Sequence, residues 1–302
     1  MTISVVIISY RVKGLLEQCL LSLLEFHRHH SLQIILVDND SRDGTTEMVQ
    51  SKFPSVILIP LNQNIGFPAA NNLAFEKATG DFIWMLNPDT SFTGDVLSPM
   101  LALHQNKSEK IITAPLLINS DGSQQISVWH YPSIGSVVCQ DLYLKAFLGN
   151  FYYLNSSFEN PVKVEAASGA SLVFRRDLIY EIGTLDESLF WIEDVDFCFR
   201  ANKSGVETWL VPDAQMFHHS GSSARKNYRI SLSNQVFNKL KFFRKHYSIL
   251  SLVVLTVWEF FNCLFRALIF GLAAAGSSTS RKKSAAYFYT LTRIFNPPKG
   301  IE

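Results

Sequence analysis

The chain predicts an α/β fold, with a mostly parallel sheet flanked by helices, on three observations. Short runs rich in β-branched and apolar residues recur at Ile3–Ser9, Gln33–Val37, Val56–Ile59 and Phe82–Leu86. Helix-forming stretches alternate with them through short links, the order that builds parallel sheets. Polar clusters follow three of the runs, at Tyr10, Asp38–Asp40 and Asn87-Pro88-Asp89, and in open α/β sheets ligands sit beyond the carboxyl ends of the strands.

Ile3–Ser9 has the pattern of a strand buried on both faces, and Leu15, Leu16, Cys19, Leu20, Leu23 and Leu24 follow at helical spacing. Gln33–Val37 ends in Asp38-Asn39-Asp40-Ser41-Arg42-Asp43-Gly44-Thr45, which supplies turn residues and cap candidates for a helix reaching about Lys52. Val56–Ile59, the helical stretch Pro68–Thr79 and Phe82–Leu86 complete the alternation, so residues 1–90 read as a Rossmann-like, nucleotide-binding half. From Asp95 to Lys163 the periodicity places no element. Val164–Phe174 then reads as a strand of small residues and Asp177–Ile182 as a short helix. Glu193–Ser204 reads as a helix opening on acids, where its dipole favours negative charge. Glu207–Val211 reads as a strand, with His218-His219-Ser220-Gly221 in the loop after it.

With 302 residues and 47% hydrophobic content, the chain is too apolar to be a disordered tail or linker. Cys19, Cys139, Cys198 and Cys263 lie too far apart for a disulfide framework or a C-x-x-C metal cluster, so a reducing compartment is expected. No basic n-region precedes Ile3–Ile8, which is short for a secretory signal. The net charge of +1 is a cancellation. Residues 1–213 carry 14 Lys and Arg against 24 Asp and Glu, whereas 214–302 carry 13 against Glu259 and Glu302 alone.

Several residues carry two readings each. Asp89 after a strand is placed to hold a divalent cation against a diphosphate, or ends the strand in a Pro-Asp turn. Asp38 and Asp40 serve a ligand or an Asx turn with a helix cap. Asn64-Ile65-Gly66-Phe67 brings backbone to a ligand or simply turns. Glu193-Asp194-Val195-Asp196 crowds three mutually repelling carboxylates at one helix start, which suggests either strong capping or a general base with a bound cation nearby. His218-His219 reads as a metal ligand or as a structural pair. Arg28-His29-His30, with His27, reads as a solvated helix end with no acid close by.

In order, Val5-Val6-Ile7-Ile8-Ser9-Tyr10, Val37-Asp38-Asn39-Asp40-Ser41-x-Asp43-Gly44-Thr45, Asn64-Ile65-Gly66-Phe67, Leu86-Asn87-Pro88-Asp89-Thr90, Gly169-Ala170, Glu193-Asp194-Val195-Asp196 and His218-x-x-Gly221-x-Ser223 resemble the motifs of family 2 glycosyltransferases, over about residues 3–247. The likeness is nearest to the rhamnosyltransferase-like branch. It implies a GT-A fold and inverting transfer of a sugar, rhamnose or another deoxyhexose, from a nucleotide diphosphate donor to a hydroxyl of a lipid-linked or cell-surface glycan precursor. By position, Tyr10 and Asp38 would contact base and ribose, with Asp40 in the same nucleotide-sugar set, and Gly66 and Asn72 would line the donor pocket. Asp89 would hold Mg²⁺ or Mn²⁺, with His218 as a further ligand. Asp194 would be the general base, Glu193 would support the acceptor or the base, and Gly169 and Ala170 would sit at the acceptor face. No nucleic-acid partner is implied. The chain departs from the family at Arg11, where Asn is frequent, at Ala70, where Gly is frequent, and at Asn87, which replaces the first Asp of a D-x-D.

The expected division is a catalytic part, 1–225, with halves 1–90 and 91–225, and a basic, apolar helical extension, 226–302. Ile249–Ala275 is long enough to span a bilayer, which takes roughly 20 apolar residues. Thr256, Glu259, Asn262 and Arg266 would nevertheless form one polar stripe on it, leaving an interfacial helix, a span and a protein-packed helix open. Lys239, Lys241, Arg244 and Lys245, then Arg281–Lys283, flank it and favour an anionic, cytoplasmic-face membrane surface. Two other functions compete. A sugar-phosphate nucleotidyltransferase should have a Gly-rich basic loop, of which Ser9-Tyr10-Arg11-Val12-Lys13-Gly14 offers little, and a non-catalytic glycan or sugar-nucleotide binder would not need Asp194.

Overall fold

The computed structural model describes residues 1–107, 110–142, 158–219 and 228–295. Gly221 and Ser223 of the histidine motif, and the boundary expected at 225/226, lie outside them. Contacts gather the described residues into two units. One holds the chain up to 131 with 158–187 and 193–219, and the other holds 132–142, 188–192 and 228–295.

The first unit contains β1 (Thr2–Ser9), α1 (Lys13–Phe26), β2 (Ser31–Asp38), α2 (Thr45–Lys52), β3 (Ile57–Pro60), α3 (Phe67–Phe75) and β4 (Phe82–Leu86). After these come β5 (Thr90–Ser91), α4 (Leu97–Asn106), β6 (Ile111–Ile118) and β7 (Val128–Trp129). With α5 (Ile134–Asp141) assigned to the other unit, the first continues through β8 (Val162–Val164), β9 (Ala166–Ala167), β10 (Ser171–Arg175), α6 (Leu178–Ile182), α7 (Glu193–Lys203) and β11 (Glu207–His218). The main sheet runs β3-β2-β1-β4-β10-β6-β11-β5, with β8 on β11. β3, β2, β1 and β4 pair in parallel, as do β6 and β11, while β10, β5 and β8 run against their neighbours. A continuous apolar strand fits this position because both faces are covered. Ile3, Val5 and Ile7 pack with α1, α2 and α4, whereas Val6 and Ile8 pack with α3, α6 and α7.

Register brings the polar clusters to one edge. Ser9 lies opposite Asp38, Ile7 opposite Leu86, Ser171 opposite Leu86 and His218 opposite Thr90. The ends of β1, β2, β4 and β11 and the start of β10 therefore meet there.

Three expectations need correction. Val164–Phe174 is not one strand, because Ser168–Ala170 form a turn in which Ser168 Oγ accepts the Ala170 N–H (3.2 Å) and its carbonyl accepts the Ser171 N–H (3.3 Å). The strand expected to stop at Val211 runs to His218, through a register shift between Val211 and Gln215. The histidines after α1 do have an acid close by: Asp95, at the start of α4, takes His29 Nε2 at 2.9 Å and lies 3.4 Å from His30 Nε2. His27 is buried, which pushes its imidazole down to about 4, and its Nε2 accepts the Val96 N–H at 3.2 Å.

The second unit is helical, with α5, α8 (Tyr228–His246), α9 (Ile249–Leu272), a 3₁₀ turn at Ala273–Ala275 and α10 (Ser278–Arg293). Serine side chains cap three of these helices, Ser133 in a reciprocal box with Ser136, Ser248 on Ser251 and Ser277 on Ser280.

Candidate active site

At the end of β1, Tyr10 is partly exposed, and the Arg11 guanidinium lies 4.9 Å from its ring centroid. Asp38 is buried and holds its own loop, Oδ1 accepting the Ser41 N–H (3.2 Å) and Oδ2 the Thr46 hydroxyl (2.8 Å). Asp40 pairs with Arg42 at 2.7 Å. Between them the buried Asn39 ties this loop to the next, its amide donating to Asn64 Oδ1 (3.0 Å) and its oxygen accepting the Ile65 N–H (2.9 Å). Gly66 adopts φ +88°, a backbone that glycine takes without strain, and its N–H also reaches Asn64 Oδ1. Asn72 faces elsewhere: its amide donates to the Leu185 carbonyl (2.9 Å) and Glu187 (3.0 Å), and its oxygen accepts the Leu185 N–H (3.0 Å).

Asp89 and His218 come together across the β5–β11 pairing, with His218 Nε2 3.4 Å from Asp89 Oδ1. The Gln125 amide donates to Asn119 Oδ1 (3.0 Å), so its own oxygen faces His218 Nδ1 at 2.7 Å. That contact assigns the proton to Nδ1 and leaves Nε2 with a lone pair toward Asp89 and the Asn87 amide, 3.3 Å away. Asp89 Oδ1 is buried and accepts no hydrogen bond among the described residues. A buried carboxylate oxygen facing an imidazole lone pair, with the far ring nitrogen fixed by a second residue, fits a divalent cation.

The third component is the start of α7. Asp194 is half-buried, with Oδ2 accepting the Gly169 N–H (2.8 Å) and Oδ1 the Val195 N–H (2.8 Å). Burial raises its pKa against the lowering pull of these backbone donors, as suits a carboxylate that accepts a proton. Gly169 has no spare room, since a Cβ there would lie 3.3 Å from Asp194 Cβ. Its neighbour Ala170 accepts the Asn87 N–H at 2.9 Å, so two consecutive residues touch both the α7 carboxylate and the Asn87–Asp89 loop. The other acids of the cluster are placed differently. Glu193 is buried, and the fully buried Asp196 takes Arg200 at 2.8 Å. Arg200 also donates to the carbonyls of Ile182, Gly183 and Thr184, tying α7 to the end of α6.

A family model described as glycosyl transferase family 2 matches residues 4–183. The chain belongs to that family. This family 2 glycosyltransferase is 27% identical over 246 residues, 74% of its chain and 78% of the relative's, to N-acetylglucosaminyl-diphospho-decaprenol L-rhamnosyltransferase of Mycobacterium tuberculosis. Its fold is GT-A. GalNAc-T7, solved with UDP, GalNAc and Mn²⁺, superposes with a TM-score of 0.57 at 17% identity, covering 80% of this chain and 50% of that one. TarS of S. aureus (residues 1–349) superposes with a TM-score of 0.53 at 14% identity, covering 80% and 65%. The family match sets the nucleotidyltransferase alternative aside.

Sequence reasoning missed three positioning residues of this glycosyltransferase. Arg200 stood in view, four residues after Asp196 on a helix, the spacing at which opposite charges meet. Asn39 lay inside a quoted motif, but its partners are 25 and 26 residues away. Gln125 had no local signal, being 93 residues from His218.

Proposed function

We propose that the enzyme transfers a sugar, rhamnose or another deoxyhexose, from a nucleotide diphosphate donor to a hydroxyl of a lipid-linked cell-wall glycan precursor, with inversion, at the cytoplasmic face of a membrane. The observation that carries this reading is the shared edge on which the Asp89–His218 pair and the Asp194 carboxylate are joined through Gly169-Ala170. The named activity of the mycobacterial relative supports the choice of sugar and of a lipid diphosphate acceptor.

In this reading Tyr10 offers its exposed ring to the nucleobase and Asp38 holds the loop against the ribose, with Asp40 and Gly66 lining the same side. Asp89 and His218 would hold Mg²⁺ or Mn²⁺, which supplies positive charge to the departing diphosphate. Asp194 accepts the proton of the acceptor hydroxyl as that oxygen attacks the anomeric carbon from the face opposite the leaving group, and Glu193 and Gly169 keep it aligned. A single displacement of this kind needs one base and no protein nucleophile.

The test is a donor screen that follows nucleoside diphosphate release with a lipid diphosphate-linked amino sugar as acceptor, with and without EDTA. Release that depends on acceptor and is abolished by EDTA supports the reading; turnover indifferent to EDTA removes the metal from it, and no acceptor-dependent release from any deoxyhexose donor removes the sugar assignment.

A further inference from the structure

α9 has the reverse of the polarity that water selects. Its charged and amide groups are turned onto protein. Glu259 is fully buried and ion-paired with Lys239 of α8. Arg266 donates to the Asp141 carbonyl (2.6 Å) and to Asn262 Oδ1 (2.8 Å), and the Trp258 indole donates to the Asp141 carboxylate (2.9 Å). Burial works against the Lys239 charge, but Glu259 and Asp141 outweigh it and its pKa is raised. The opposite face carries Leu250, Val257, Phe261, Phe265, Leu268 and Leu272, all exposed, Phe265 to 64% and Leu272 to 86%. A water-facing helix shows the other arrangement, and a continuous apolar ridge of this length marks an interaction surface.

Charge decides what the surface meets. Arg281, Lys282 and Lys283 open α10, and the sequence holds no acid between Glu259 and Glu302. Between α9 and α10 lies an apolar cavity of about 470 Å³, lined by Leu264, Leu268, Ala285 and Phe288, with Arg281 at its wall. An apolar ridge and groove bordered by cations alone match acyl chains and lipid phosphates. A second copy of the same face would set like charges against each other.

We infer that α9 and α10 form a foot that lies within one leaflet of an anionic phospholipid bilayer without crossing it, the α9 ridge among the acyl chains and Arg281–Lys283 at the lipid phosphates. Length does not forbid a span, because the continuous helix Ile249–Ala275 is long and apolar enough. Its partners do. A crossing helix would carry Glu259, Asn262 and Arg266 into hydrocarbon and strip Glu259 from Lys239 and Arg266 from Asp141, whereas a helix lying flat keeps both contacts. This deepens the membrane reading above and is independent of the sugar transferred.

Full-length protein is added to vesicles of phosphatidylcholine alone and of phosphatidylcholine with about one third phosphatidylglycerol, and binding is read by flotation. Binding is expected on the anionic vesicles, falling with salt, and weakened about tenfold or more both by Val257→Glu with Phe265→Glu and by Arg281→Glu with Lys282→Glu. All four positions are exposed, so the melting temperature and donor-derived nucleoside diphosphate release in solution should stay unchanged, which separates failure of the foot from failure of the catalytic reading. Cysteines placed off the ridge before and after α9, Arg244→Cys and Thr279→Cys, each in a Cys139→Ser background, should both react with an impermeant maleimide added outside the vesicles. Reaction at one end only overturns the monotopic arrangement. Binding unchanged by both charge pairs, or self-association in place of vesicle binding, overturns the lipid assignment.

Discussion

The two units of the molecule each bury an ion pair but differ in what they turn outward. In the sheet unit the interior is apolar on both sides of β1, and Tyr10, Asp38, Asp89, Asp194 and His218 gather at one edge where strands end. In the helical unit Glu259 is inside and the large apolar side chains of α9 are outside. A net charge of +1 and a single hydropathy average describe neither. Where a charge sits, and what it is bonded to, separates groups kept for chemistry from groups kept for architecture.

Substitutions test this contrast, since edge charges should cost turnover and interior charges should cost stability. The largest loss is expected for Asp194→Asn, with turnover reduced about 10²–10⁴-fold and donor binding retained. The raised pKa of Asp194 fixes the sign of the pH profile: the base is competent only when ionised, so activity should fall on the acid side at a pH above the ordinary carboxylate range. A profile flat through that region would take Asp194 out of the base role.

Arg200→Leu and Lys239→Met sharpen the comparison by breaking a buried pair in each unit. Each leaves a fully buried carboxylate, Asp196 or Glu259, without its cation, and should cost about 3–5 kcal/mol in urea unfolding. If Arg200→Leu spared stability and lost only turnover, its place among the interior charges would be wrong. A smaller effect is expected for Gln125→Leu, which removes the acceptor that fixes His218 Nδ1 and should raise the Mn²⁺ concentration needed for half-maximal thermal stabilisation about 10–100-fold. Asp89→Ala should abolish that stabilisation. Smallest of all, Gly169→Ala should lower turnover about tenfold with little change in melting temperature, because its new Cβ presses on the Asp194 side chain rather than on the core.

Much of the sheet half could be read in advance. The four parallel strands fall within a residue or two of the apolar runs because β1 and β4 are buried on both faces and even the half-buried edge strand β3 keeps a continuous apolar pattern. Pattern failed where meaning was tertiary. Ser168–Ala170 have strand-compatible residues but turn, since Gly169 is drawn to an acid 25 residues away. His29 and His30 looked solvated because Asp95 is 66 residues from His29. On α9 the spacing of Glu259, Asn262 and Arg266 announced a polar stripe, yet only the fold supplies Lys239 and Asp141 as what the stripe faces.

The Gly169-Ala170 peptide has a mechanical consequence. One residue donates its N–H to the α7 carboxylate and the next accepts from the Asn87 N–H, and adjacent Cα atoms across a trans peptide stand about 3.8 Å apart whatever the side chains do. The start of α7 and the Asn87–Asp89 loop, more than a hundred positions apart along the chain, are thereby gauged against each other by a caliper made of covalent bonds, one jaw closed on the Asp194 side chain and the other on the Asn87 backbone.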